Sequence, residues 1–252
     1  MSAYYIVNEI SRIRSIEQSV GVKIPLPHFF YIQKFGRKID EQMPEILALI
    51  GKKKWFLFQT GQVYRKEGLL SSLLLELEKH TDPGREYQEC VVIEIEEDIC
   101  KQGEWTAFLE YLQSKEDQFY FLFTMKQTKN MAFVQQGMER YFFLRTIGAE
   151  AYKAEEQLDI IRRHCEKCGF TLDNADINGL YEKLSGKEWK ENEWVARKLQ
   201  TAVYHSLYRI AIGGNVEQNM SQKIVTEVLE YLDRIPLKEK AIGFCQEDNS
   251  YE

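Results

Sequence analysis

Three features of the sequence predict an α/β fold, a five-stranded, mainly parallel sheet sandwiched by helices and followed by a small all-α unit. Short apolar runs alternate with amphipathic helical stretches through the first 150 residues. The runs are almost continuously apolar, as in strands covered on both faces rather than strands with one wet face. Beyond about residue 150 the runs stop while helical spacing continues.

From Ala3 to about Gly21, Ile6, Ile10, Ile13 and Ile16 recur at helical spacing among polar residues. Ile24-Pro25-Leu26-Pro27 cannot continue a helix, because each proline pushes its predecessor toward extended geometry, so His28 to Ile32 reads as a first strand. Ile39, Met43, Ile46, Leu47 and Ile50 mark a helix ended by Gly51. Trp55 to Phe58 is the second strand, and after a loop from Gly61 to Gly68 a Leu-rich helix runs from Leu69 to Leu77. Cys90 to Ile95 is the third strand, Trp105, Phe108, Leu109 and Leu112 form one helix face, and Phe119 to Phe123 is the fourth strand. A short helix over Met131 to Met138 and a last strand over Tyr141 to Leu144 complete the alternation. Helices are then expected over Ala154 to Cys168 with Gly169 as the stop, Asp173 to Leu184, Trp194 to Ile212 and Ser221 to Ile235. The expected organisation is an N-terminal helix (1–22), an α/β subdomain (23–150), a helical lid (151–240) and an acidic tail (241–252).

The chain has 252 residues, enough for one or two compact units, and its Lys plus Arg minus Asp plus Glu is 33 − 39 = −6. No global basic field favours a nucleic-acid duplex. No apolar stretch approaches the roughly 20 residues that span a bilayer, and charges stand where a signal peptide would be apolar, so no membrane role and a cytoplasmic location are expected. Five scattered cysteines argue for reduced thiols.

The order of elements and four local patterns resemble the AAA+ ATPase family, of P-loop NTPase fold, over roughly residues 20 to 235. The third strand, CVVIEIEED, resembles a Walker B motif, whose strand-end acids hold Mg²⁺ and polarise the attacking water. By that resemblance Glu96 and Glu97 take these roles, although the family usually has Asp before Glu. FYFLFTMKQTKN stands where the family carries sensor 1, with Thr124 the first candidate, then Thr128 and Asn130. Arg140, in MERYFFLR, stands at an arginine-finger position, and Arg197, in NEWVARKLQ, resembles the sensor 2 arginine. The same residues also read as a polar strand end, helix-capping loop polars and two solvated helix arginines.

A working family member needs G-x-x-x-x-G-K-[ST] after the first strand, where glycines let backbone amides wrap phosphate, Lys neutralises it and the hydroxyl binds Mg²⁺. This chain has QKFGRKIDEQMPEIL there. Gly36 and Lys38 remain as nucleotide-binding candidates, beside Lys34 and Arg37, but no G-K-[ST] occurs anywhere, and Asp40 and Glu41 oppose an anion. The resemblance with this loss implies a pseudo-ATPase that binds ATP and Mg²⁺ weakly or not at all and works through a protein partner or an AAA+-type oligomer. The alternative is an ATP-binding AAA+ enzyme with an unorthodox phosphate loop using Lys38, Glu96, Glu97 and Arg197.

Other motifs carry less. Cys165 and Cys168 form one CxxC, half a zinc site with no matching second pair, so no metal site is expected. The basic clusters Lys52 to Lys54 and Lys126 to Lys129 lack the interleaved aromatics of a single-strand binder, so nucleic acid is not expected as a partner.

Overall fold

The structure is a computed structural model that describes residues 5–61, 68–80, 89–96, 103–212 and 220–234. Helix α1 (Tyr5–Val20) precedes strand β1 (His28–Gln33), after which a 3-10 turn (Ile39–Gln42) leads into α2 (Met43–Ile50). There follow β2 (Lys54–Gln59), α3 (Leu69–His80), β3 (Glu89–Ile95), α4 (Glu104–Gln113), β4 (Tyr120–Lys126), α5 (Met131–Met138) and β5 (Leu144–Gly148). Four more helices are α6 (Ala154–Lys167), α7 (Asn174–Ser185), α8 (Val195–Ile212) and α9 (Met220–Arg234).

The five strands form one sheet in the order β2-β3-β4-β1-β5, and every adjacent pair is parallel. Alternation along each strand sends side chains to two separate cores. On one face Phe30, Ile32, Val91, Ile93, Phe121 and Phe123 pack with Leu73 of α3, Phe108 of α4 and Val134 of α5. On the other Phe29, Tyr31, Val92 and Leu122 pack with Ile6 and Ile10 of α1 and Met43 and Ile46 of α2. A sheet buried on both sides explains why its strands read as uninterrupted apolar runs.

Two expectations need correction. The last strand lies at Leu144–Gly148, not Tyr141–Leu144. The amides of Tyr141 and Phe142 both donate to the Met138 carbonyl, so these residues extend the end of α5 as a turn, with Phe142 buried in the core and Phe143 exposed. The aromatic run has the pattern of a strand, whereas the true edge strand, LRTIG, is half polar. The helix expected from Ile39 is α-helical only from Met43. Pro44 lacks an amide donor and sits in the first turn of α2, so the preceding residues close as a tighter 3-10 turn.

The chain divides into two compact units, Met1–Tyr152 with Glu188–Val195, and Lys153–Lys187 with Ala196–Glu252. Segment 188–195 therefore belongs to the sheet unit although it lies beyond α7 in sequence. In the second unit Ile161, Leu180, Leu184, Leu199, Val203, Ile224 and Val228 are buried, and Arg209 Nη1 meets Glu227 Oε2 at 2.8 Å between α8 and α9. Gly169, at φ +77°, ends α6 where a stop was expected, its amide donating to Glu166 O. Among the described residues no helix is long and apolar enough to cross a membrane.

Candidate functional site

Strands β1 and β4 are neighbours whose chain exits diverge. The segment after β1 passes to α2 on one face, and the segment after β4 passes to α5 on the opposite face. Such a divergence leaves a crevice at the carboxyl ends of the strands, where open α/β sheets take their ligands. A cavity of about 830 Å³ lies there. Gln33, Lys34 and Gly36 line it from the β1 side, Lys126 to Lys129 from the β4 side, and Trp189 to Asn192 with Trp194 from segment 188–195. All of these belong to the sheet unit.

The loop after β1 is engaged by the same segment. Phe35 and Gly36 both hold positive φ, 55° and 71°, and the Arg37 amide donates to Lys34 O at 2.9 Å to close the turn. The Phe35 amide donates to Glu191 O, and the Val195 amide returns a bond to Phe35 O at 3.2 Å. A Cβ built on Gly36 would lie 2.9 Å from Trp194 Cε3 and 3.0 Å from Trp194 Cα, so glycine is required both by φ and by the indole above it.

Two of the loop's three positive charges, Lys34 and Arg37, are likewise engaged. Lys34 Nζ sits 2.9 Å from Glu191 Oε1, and the bond from Lys34, followed by one from Gln127, holds the Glu191 carboxyl below its ordinary range. Arg37 is buried, its guanidinium 3.7 Å from the Tyr152 ring centroid. Lys38 is exposed and starts the 3-10 turn in extended conformation. The cavity lysines are Lys34, Lys126, Lys129 and Lys190.

A polar row crosses the sheet below the cavity. Gln33 Nε2 donates to Thr124 Oγ1 at 2.9 Å, Thr124 stands opposite Glu94 in register, and Gln59 Nε2 donates to Glu94 Oε2 at 2.7 Å. Thr124 is two residues inside β4 and buried, not at the strand tip. Glu94 matches no motif in the sequence. The available signal was an acid inside an apolar strand, on the same face as Glu96.

Glu96 follows β3 and turns toward the β2 edge. Its amide donates to Thr60 Oγ1 at 3.0 Å, and its carboxylate fills the space where a Cβ on Gly61 would stand. Glu97 lies outside the described residues. Thr128 lines the cavity, and its buried hydroxyl has no hydrogen-bond partner among the described residues. Asn130 precedes α5 without a side-chain capping bond, and Arg140 is exposed in the turn after α5. Arg197 belongs to the second unit, where its Nη1 donates to Gln200 Oε1 at 2.9 Å on its own helix. The side chain near the start of α8 that reaches the β1 loop is Trp194.

Elsewhere, burial pushes the Cys165 thiol up to about 11, while Cys168 is exposed. Among the described residues no group of three or more His, Cys, Asp or Glu is placed to hold a metal.

Comparison of the fold with solved structures finds RuvB of Thermotoga maritima. The structure described as the Holliday junction branch migration motor superposes with TM-score 0.56 at 13% identity, covering 92% of this chain and 70% of that one. Two single-substitution forms of the same protein give 0.56 and 0.55 at 14% identity, covering 92% of this chain and 70% or 71% of theirs. The chain has an AAA+-like fold. At this identity the likeness speaks for the fold alone, and it accords with the five-stranded parallel sheet and the helical region that follows. No protein-family model and no curated protein matches the sequence.

Proposed function

We propose that this chain is an AAA+-like module without ATP turnover, which acts by binding a partner as a regulatory or scaffold component of an assembly. One observation carries the reading: the loop that would have to wrap phosphate has its Phe35 amide bonded to Glu191 O and its glycine covered by Trp194. Phosphoryl transfer depends on free backbone amides and an unpaired lysine at that place. Here Lys34 is tied to Glu191, Arg37 is stacked under Tyr152, and no G-K-[ST] follows. The hydrolytic positions implied by the family resemblance, Glu96, Glu97, Thr124 and Arg140, then have no nucleotide to act on, and Gly36, Lys38 and Arg197 hold none.

The test is calorimetry of the purified chain with ATP and ADP, each with Mg²⁺, alongside melting curves. The expected result is no saturable heat at millimolar nucleotide and no rise in melting temperature. A ligand at 100 times its Kd adds about 2.7 kcal/mol to folded-state stability, so binding in the micromolar range produces a shift that cannot be missed and overturns the reading.

A further inference from the structure

We infer that the cavity at the ends of β1 and β4 is a binding site for a short single-stranded nucleic-acid segment. The inference deepens the proposed function by naming the partner's chemistry, and it rests on that reading in taking the β1 loop as closed to ATP phosphate.

Charge is the first reason. Among the described residues Glu191 is the one carboxylate lining the cavity, and it is already met by Lys34 and Gln127. Lys126 and Lys129 are exposed at the mouth, and neither side chain has an anionic partner among the described residues. A chain of net charge −6 thus keeps a local excess of positive charge at one concave place. Shape is the second reason. About 830 Å³ suits a few planar groups and is too small for a duplex.

The third reason is the pairing of these lysines with indoles. Trp194 remains 44% exposed although one side of it covers Gly36, and Trp189 lines the same cavity. An exposed indole beside free ammonium groups suits a ligand that is planar and anionic at once: bases stack on the aromatic face while phosphates meet the lysines. An acidic peptide would satisfy the lysines and leave the indole without a stacking partner. The Thr128 hydroxyl, buried and unbonded among the described residues, supplies a donor for a phosphate or base edge. The Lys126 to Lys129 cluster lacks aromatics in sequence, but the fold brings them from segment 188–195.

The experiment titrates the full chain with an oligothymidylate and an oligouridylate, each about six nucleotides long, following tryptophan emission and anisotropy at several salt concentrations, with and without Mg-ATP. Saturable quenching is expected in the micromolar range at low salt. The double variant K126Q/K129Q should lower the slope of log K against log salt by about 1.4 and the affinity at 0.15 M salt by about tenfold, since each lysine on a single strand releases about 0.7 counterion. Trp194→Phe should remove most of the quenching. Both lysines are exposed, so the double variant folds, which circular dichroism verifies.

No quenching or anisotropy change at millimolar oligonucleotide overturns the inference, as does an affinity unmoved in K126Q/K129Q. A hexaglutamate peptide that competes as strongly as the oligonucleotide overturns it in favour of an acidic protein segment. Micromolar ATP binding that leaves oligonucleotide affinity intact overturns the closed-loop reading and supports an independent cavity site. Absent oligonucleotide binding together with absent ATP binding removes this inference and leaves the proposed function standing.

Discussion

Trp194 lies over Gly36 so closely that a single methyl group between them would fall 2.9 Å from Cε3 of the indole ring. The contact joins the turn after β1 to segment 188–195, and the obstruction is ring and backbone together, with Trp194 Cα at 3.0 Å. Gly36→Ala combines left-handed strain, about 1–2 kcal/mol, with this collision. A loss of about 2–3 kcal/mol is expected in urea unfolding. Trp194→Ala introduced beside it should restore part of the loss, because the ring clash goes while the strain at φ +71° stays. Strict additivity of the two variants would show that the indole does not press on the loop.

Gly61 makes an instructive contrast. A Cβ there would meet the Glu96 carboxylate at 1.9 Å, closer than anything at Gly36. Yet the obstacle is the far end of a flexible, exposed side chain, which can swing away. Gly61→Ala should therefore cost less than about 1 kcal/mol. Glu96→Ala should erase even that cost, measured by the same unfolding curves.

Thr124 occupies a buried position between Gln33 and Glu94, and its hydroxyl accepts the Gln33 amide at 2.9 Å. Thr124→Val keeps the shape and removes the acceptor, leaving a part-buried donor unpaired. The expected cost is about 1–3 kcal/mol. Gln33→Leu added to Thr124→Val removes both partners and should recover much of it. A double variant no more stable than Thr124→Val alone would mean that this hydrogen bond does not hold the strand ends together.

Much of this fold is legible in the sequence, and the reason is burial. Phe29, Val92 and Leu122 face one core while Phe30, Ile93 and Phe123 face the other, so strands β1, β3 and β4 announced themselves as continuous apolar runs. Strand β5 did not, because an edge strand carries Arg145 and Thr146 on LRTIG while the adjacent aromatics serve a turn. The lack of a G-K-[ST] string near Gly36 is a matter of local residue types and is read directly from the sequence. The contacts that Glu191 and Trp194 make with that turn are not. Glu191 and Trp194 are remote in sequence, and no periodicity or motif ties them to Phe35 and Gly36; only the tertiary fold pairs them. For the same reason the sequence does not reveal that Lys126 and Lys129, both exposed, line one cavity with Trp189 and Trp194.

His28 opens β1 inside a cage of rings, stacked on Tyr120 at 5.2 Å and edge-on to Phe142 at 5.3 Å. Its Nδ1 lies 3.0 Å from the Phe121 carbonyl and its Nε2 3.0 Å from Glu116 Oε1. Burial dominates and lowers its pKa from the ordinary 6.5, while the Phe121 carbonyl and Glu116 both pull it upward. The consequence for stability has a definite sign. Below about 6.5 the unfolded chain binds a proton that the folded chain resists, so this residue's contribution is present above that pH and is lost as pH falls through the window beneath it. Unfolding free energies at pH 7.5 and about 5.5 should therefore differ by less in His28→Phe, which keeps the ring packing and cannot titrate. Glu116→Gln removes one of the two groups favouring the charged ring and should steepen the acid loss. If His28→Phe instead loses stability toward acid as fast as the natural chain, the loss arises at other groups and the imidazole is not the one resisting protonation.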